Sequence, residues 1–317
     1  MEIFYNLLTA ILVIVVIFLL ALLMRKREIL TEDHSAVLAR IVTDLCLPAI
    51  VFVTLAKQTI ELSELEPAFV MLFTELFCIG IAWLVAVWAG FDRAKQGAVV
   101  FCSAFGSSTF LGYSIIIQLF PETPQAMTEA VLISEIGVGY PIFILGPVLA
   151  SYFGSGESDL KSAWSASLQF FRSPVFFALL LGFLWGFFGL PREEHPVFAP
   201  LFQLCNVLAS ALTPIAILSV GLMFKMPKLK TVLLPLAVVI LIKLLFKPVF
   251  IGGVASILDF SKLWKDVLII LAAMPPAILG AVFLKRYGGD AALASTLLLA
   301  ASVVSTVTVL FVFWFVG

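Results

Sequence analysis

The chain predicts an all-α membrane protein of ten transmembrane helices, arranged as two inverted five-helix repeats whose fourth and ninth helices are broken and cross. Three observations lead there. Composition comes first: of 317 residues, 62% are hydrophobic and 12% charged, with a mean hydropathy of +1.16, well outside the range of soluble domains. Second, the apolar residues fall into continuous runs of about 20, long enough to cross a hydrocarbon core as helices; a β-barrel would show short alternating strands instead. Third, two of the runs are interrupted by glycines, hydroxyls or a double proline at the depth of the bilayer centre.

The runs, α1 to α10, lie near 4–24, 36–55, 67–90, 97–120, 127–152, 174–190, 198–223, 231–256, 265–284 and 291–315. α1 lacks a basic n-region and is too long for a signal-peptide core, so it is expected to stay as a membrane helix. Arg25, Lys26 and Arg27 follow it and set orientation by the positive-inside rule. With the N-terminus outside, the cytoplasmic loops hold Arg25, Lys26, Arg27, Arg93, Lys95, Lys161, Arg172, Lys225, Lys228, Lys230, Lys285 and Arg286, against Lys57, Arg192, Lys262 and Lys265 outside. Both termini are therefore expected outside.

A polar stretch at 154–173 divides the chain into repeats 1–153 and 174–317. Leu160, Trp164, Leu168 and Phe171 recur in it at helical spacing, which fits either an amphipathic segment lying on the inner interface or a loop with scattered apolar residues. An odd helix count per half inverts the second repeat. Leu47-Pro48-Ala49-Ile50-Val51 in α2 matches Thr213-Pro214-Ile215-Ala216-Ile217 in α7, and the breaks of α4 and α9 occupy corresponding places. Paired breaks in inverted halves are a transporter architecture. Cys46, Cys78, Cys102 and Cys205 fall inside helices without paired spacing, so they read as small core residues rather than a disulfide frame or metal site. No Walker-type loop is present, no cofactor is expected, and nothing in the composition suggests nucleic acid.

The breaks are the candidate site. In α4 the residues are Gly106, Ser107, Ser108, Thr109 and Gly112; in α9 they are Pro275, Pro276 and Ala277. At about 1.5 Å per residue, ten residues from opposite faces bring both to the middle of the core. Each break opens a half-helix whose first N–H groups lack partners, and prolines suit a helix start. Two such N-termini aim partial positive charge at one point, a ready carboxylate site. The simpler alternative is that these small residues only let helices pack closely.

Ala272-Ala273-Met274-Pro275-Pro276-Ala277, with Tyr287-Gly288-Gly289-Asp290 and Leu293-Ala294-Ser295, resembles the auxin efflux carrier family, which holds plant PIN-type exporters and bacterial permeases for small carboxylates such as malonate. Leu47-Pro48-Ala49, Thr213-Pro214-Ile215-Ala216 with Gly221, Lys243-Leu244-Leu245 before Pro248, and the serines Ser302 and Ser305 also fit. The family's α4 break usually reads Asn-Thr-Gly-Phe-Leu-Gly-x-Pro. Here Ser107 stands for the asparagine, Thr109 for the first glycine and Ser114 for the proline, so the break rests on Gly106, Gly112 and hydroxyls. The resemblance implies a scaffold of α1, α2, α6 and α7, a moving unit of α3–α5 and α8–α10, elevator-like transport of a small organic anion, and a compact member without the long loop of the plant exporters. It leaves the coupling ion open between proton and sodium, and a homodimer among the arrangements open to the chain.

Ionisable residues inside membrane helices are costly and point to function by default. Asp44, Glu75, Glu135 and Lys243 are the candidates for charge or coupling sites, with Ser302 and Ser305 as further oxygens. Asp44 follows Arg40 at i+4 and fits an ordinary intrahelical pair; Lys247 in outer α8 fits a snorkelling side chain; Lys243 fits either a buried pair with a carboxylate or a substrate charge. The serines fit either a site or bonds back to their own helix. An intramembrane serine protease would need a histidine in the membrane, whereas His34 and His195 are expected in loops. Clustered metal ligands are lacking, so no enzyme is expected. A passive anion channel remains the alternative to a carrier.

Overall fold

A computed structural model describes residues 2–59, 61–154, 164, 168, 170–223 and 232–316. Among them the predicted runs are largely helical, with non-helical residues at 105–107 and 273–277. Six stretches, Asp33–Lys57, Leu62–Trp88, Pro124–Phe153, Ala199–Leu222, Leu233–Ile257 and Ala291–Phe313, are long and apolar enough to cross a membrane. Large side chains such as Trp88, Val307 and Phe315 are mostly exposed, an exposure suited to lipid rather than water. Lys161, Lys225, Lys228, Lys230 and Leu160 lie outside the described residues, as does most of the 154–173 stretch; Trp164 and Leu168 are helical and exposed.

The chain divides into two compact units. The first collects α1 (Glu2–Lys26), α2 (32–57), residues 109–131, α6 (Pro174–Phe187) and α7 (199–223). Inside it α2 packs along α6, and Gly182 shows how closely: a Cβ there would lie 3.0 Å from the Phe52 carbonyl oxygen. Small residues let backbones approach in lipid, where no hydrophobic drive separates helix from acyl chain. Phe52, Trp185 and Phe202 fill the adjoining space with edge-on and tilted rings. α1 packs on α7, and the Arg25 guanidinium donates to the Leu222 carbonyl at 3.1 Å, satisfying one of the orphan acceptors at that helix's end. His34 sits in the first turn of α2 rather than in a loop, and its Nδ1 accepts the Thr31 N–H at 3.0 Å.

The second unit collects α3 (Glu66–Trp88), the first half of α4 (α4a, Arg93–Ala104), residues 132–153 of α5, α8 (Leu233–Ile257), both halves of α9 (α9a, Lys262–Ala272; α9b, Ile278–Arg286) and α10 (Ala291–Val316). Cys78, Ala82 and Ala86 of α3 meet Ala98, Val99 and Cys102 of α4a in its core. Gly280 of α9b lies against Phe101, where a Cβ would come within 3.0 Å of the Phe101 Cβ. The four cysteines are buried and free, in keeping with a packing role.

Four helices contain π-helical turns: Val42–Cys46 in α2, Ser108–Gly112 opening the second half of α4 (α4b, Ser108–Leu119), Ile133–Gly139 in α5 and Ile240–Phe246 in α8. Such turns are rare and gather at functional sites. Asp44, Glu135 and Lys243 each fall inside one.

Candidate functional site: the mutual break of α4 and α9

α4a is capped at its start by Asp92, whose side chain accepts the Lys95 N–H at 3.0 Å. It runs to Ala104, where Phe105 turns extended (φ −79°, ψ 131°). α9a is likewise capped by Ser261 and ends at Ala272. Between the helix halves the two chains form an antiparallel bridge of Gly106 with Pro276. The Ser107 N–H donates to the Pro275 carbonyl at 2.8 Å, and the Ala277 N–H to the Phe105 carbonyl at 3.0 Å. Backbone groups released by one break are thus satisfied by the other, which is how irregular backbone survives away from water.

This bridge explains the double proline and corrects the reading of it as a helix start. The bridged residues, Gly106 and Pro276, form the kind of antiparallel pair whose own N–H groups do not enter the ladder. Pro276 therefore loses nothing by lacking an N–H, and Pro275 is needed only as an acceptor. α9b begins two residues on, at Ile278, with extended Ala277 (φ −76°, ψ 136°) as its cap. On the other strand the break is complete without a proline. Gly112 is not part of it: that residue closes the π turn and leads into regular helix at Tyr113.

The carbonyls at the C-terminal ends of the first halves find lysines. Lys247 Nζ donates to the Ala104 carbonyl at 3.0 Å, and Lys243 Nζ to the Ala272 carbonyl at 3.2 Å. Both lysines come from α8, four residues apart, and both are wholly buried. One helix thereby places an ammonium on the negative end of each broken helix, the favourable position for a cation. Lys247 also pairs with Glu75 of α3 at 2.5 Å, both side chains fully enclosed. This corrects two expectations together. Lys247 is not a snorkelling surface residue, and it is Lys247, not Lys243, that takes the carboxylate.

Gly106 acquires a second reason to be glycine. A Cβ at that position would come 2.6 Å from Lys243 Nζ, so the ammonium lies directly against the bridge. Ser107 and Ser108 are buried, Thr109 and Ala277 are partly exposed, and Pro275 and Pro276 are buried. The Ser108 hydroxyl has no hydrogen-bond partner, nor do the Ser103 hydroxyl and Glu75 Oε2. A buried hydroxyl left open costs about 1–3 kcal/mol, and Ser108 is the first residue of α4b, beside that helix's free N–H groups.

The remaining candidates are placed elsewhere. Asp44 is half-exposed and pairs with Arg40 at 3.7 Å. Glu135 is buried in the π turn of α5, its Oε2 near Gly139. Ser302 and Ser305 donate to the Leu298 and Ser302 carbonyls, each at 2.8 Å, so both hydroxyls are taken up by their own helix. What the sequence reading missed is the bridge itself and the role of Lys247; the signal available for the latter was its four-residue spacing from Lys243 along one helix face.

A profile of membrane transport proteins matches residues 6–151 and 160–313, nearly the whole chain. The chain belongs to the membrane transport protein family, the group of the auxin efflux carriers. It is similar to an uncharacterized transporter of Methanothermobacter thermautotrophicus, 26% identical over 300 residues that cover 93% of each chain. The uncharacterized transporter MJ1031 of Methanocaldococcus jannaschii is 24% identical, over 88% of this chain and 89% of its own. The uncharacterized transporter YfdV of Escherichia coli K12 is also 24% identical, over 90% and 91%. Membership makes the protein an integral, multi-pass membrane transporter rather than an enzyme, and agrees with the apolar helices described above.

Proposed function

We propose that the protein is a secondary transporter that binds a small organic anion at the crossing of α4 and α9 and carries it by alternating access. The observation that supports this best is the convergence of unspent positive character there. The N-terminal turns of α4b and α9b follow the bridge directly, the Lys243 ammonium lies against Gly106, and the Ser108 hydroxyl is open. N–H groups at helix starts bind carboxylates without a fixed arginine. Gly106, Ser107, Ser108, Thr109, Ala277 and the backbone at Pro275 and Pro276 make the lining in this reading.

In the same reading the ten helices form two inverted repeats with both termini outside, in a bacterial inner membrane. The family resemblance implies that α3–α5 with α8–α10 would shift against α1, α2, α6 and α7 in elevator fashion, whereas residues 109–131 of α4 and α5 group with the first unit. The chain carries its cargo with neither cofactor nor resident metal, its coupling to a proton or sodium is to be measured, and it works as a protomer or a homodimer.

Counterflow of labelled carboxylate in proteoliposomes tests the proposal. Saturable exchange is expected, and Ser108→Leu is expected to abolish it while the protein stays monodisperse in detergent. Flux without saturation or exchange would replace the carrier with a passive channel. Unchanged kinetics in Ser108→Leu would remove the crossing as the site.

A further inference from the structure

The buried charges of the second unit fix more than the sign of the cargo. Around the crossing Lys243, Lys247 and Glu75 are each wholly enclosed; Glu135 and Asp266 are buried in the same unit, Asp266 paired with Lys262, and neither is among the groups that act on Lys243. Lys247 and Glu75 compensate one another. Lys243 donates to the Ala272 carbonyl, and among the described residues no carboxylate lies within ion-pair distance of it. The charged groups that act on it are Lys247 and Glu75, with the Cys78 thiol beside them. The α4 break brings Gly106 against it, and α10 carries no ionisable residue. The negative C-termini of α4a and α9a are each met by one of the two lysines, the favourable place for a cation. Of these three side chains, two ammonium groups and one carboxylate leave the Lys243 ammonium without a carboxylate partner.

From this we infer that Lys243 is the fixed counter-charge for the transported anion, and that the site accepts one net negative charge and no more. The inference rests on the organic-anion reading above and narrows it. A monocarboxylate brings the enclosed set to neutrality. A dicarboxylate in its doubly ionised form would leave one negative charge in a low-dielectric interior, where an unpaired charge is strongly disfavoured. Dicarboxylates therefore bind only with one proton retained. Gly106 acts as a specificity residue in the same sense, because only a hydrogen at that position lets the ammonium lie against the bridge.

The test uses the full-length protein in detergent, followed by thermal shift, since a ligand of the folded state raises apparent stability with its concentration. Acetate, butyrate and phenylacetate are titrated alongside malonate and succinate, at pH values below and above the second pKa of each diacid. Monocarboxylate binding is expected to be nearly constant across the range above their own pKa. Apparent affinity for the diacids is expected to fall about tenfold for each pH unit above their second pKa, the slope of one obligatory proton. Diacids that bind equally well when doubly ionised would overturn the inference and leave the organic-anion reading standing. If no carboxylate of either class binds the wild type, that reading falls as well. Lys243→Met supplies the second arm, since it leaves the Glu75–Lys247 pair in place. Monocarboxylate affinity should drop at least about tenfold, and should be recovered in part by Lys243→Arg; unchanged affinity in Lys243→Met would reject Lys243 as the counter-charge.

Discussion

Removing either partner of the Glu75–Lys247 pair should destabilise the second unit far more than removing both. The two side chains meet at 2.5 Å with no exposure to solvent, so a single substitution strands a charge. Breaking a buried pair in this way costs about 3–5 kcal/mol, whereas replacing both partners with apolar residues of similar volume is often neutral. Lys247 has a further duty: its ammonium also holds the Ala104 carbonyl at 3.0 Å, and a buried acceptor left without a donor costs about 1–3 kcal/mol. Lys247→Met and Glu75→Leu should therefore each lose about 3–5 kcal/mol, a fall of about 6–15 °C in midpoint for a chain of this size. The double variant should lose only about 1–3 kcal/mol, because only the carbonyl is then orphaned. The cycle would give a coupling of roughly 3–9 kcal/mol, at the top of or above the usual range for residues in contact. Thermal unfolding in detergent, read by fluorescence-detected size exclusion, measures all four proteins. Additive losses, or single losses below about 1 kcal/mol, would refute the claim that the pair is enclosed and mutually dependent.

Other expectations follow from the same geometry. Gly106→Ala, which sets a methyl group 2.6 Å from Lys243 Nζ, should displace that ammonium from Ala272 and lower anion affinity at least about tenfold, as a reorganised polar contact of about 1.4 kcal/mol would; thermal shift with butyrate checks it. Gly182→Leu should destabilise the first unit by about 1–3 kcal/mol through overpacking against the Phe52 backbone, read as a lower midpoint. Ser302→Ala and Ser305→Ala should leave uptake within about twofold of wild type, because those hydroxyls already bond their own helix. At the start of α4a, the Lys95 side chain and N–H hold the Asp92 carboxyl below the usual carboxylate range. Its contribution to stability is thus present above the unfolded pKa and lost as pH falls through the lowered folded value. Lys95, raised by the same partner, contributes below its unfolded pKa and loses that contribution as pH rises through the raised one. Asp92→Ala should flatten the acid arm and cost about 1 kcal/mol as a lost helix cap.

Much of this architecture was legible before any coordinate. Hydrophobic runs located the long apolar helices because lipid demands uninterrupted apolar length. The breaks at Gly106 and Pro275-Pro276 declared themselves because nothing else tolerates such residues at that depth. What pairs with what was not legible. The bridge joins residues far apart in sequence, and neither proline nor glycine announces a strand partner. For the lysines the rules of single helices pointed the wrong way: depth suggested that Lys243 would take the carboxylate and that Lys247 would reach for water. A π turn over Ile240–Phe246 carries both inward instead, and such a turn has no sequence signature. Ser302 and Ser305 show the reverse case, in which the ordinary local bond outcompeted the more interesting role.

The bridge between Gly106 and Pro276 also dictates an order of events during synthesis. Phe105 and Ser107 leave the ribosome about 170 residues before their partners, an interval of roughly ten to thirty seconds at about 5–20 residues per second. Throughout it the α4 break has an exposed carbonyl and amide that its own half of the chain does not satisfy. Insertion of the first repeat must therefore be provisional, with that segment held against water or the insertion machinery until α9 arrives. A chain halted before residue 275 should remain extractable and protease-sensitive near Ser107, and completion of α9 should seal both breaks in one step.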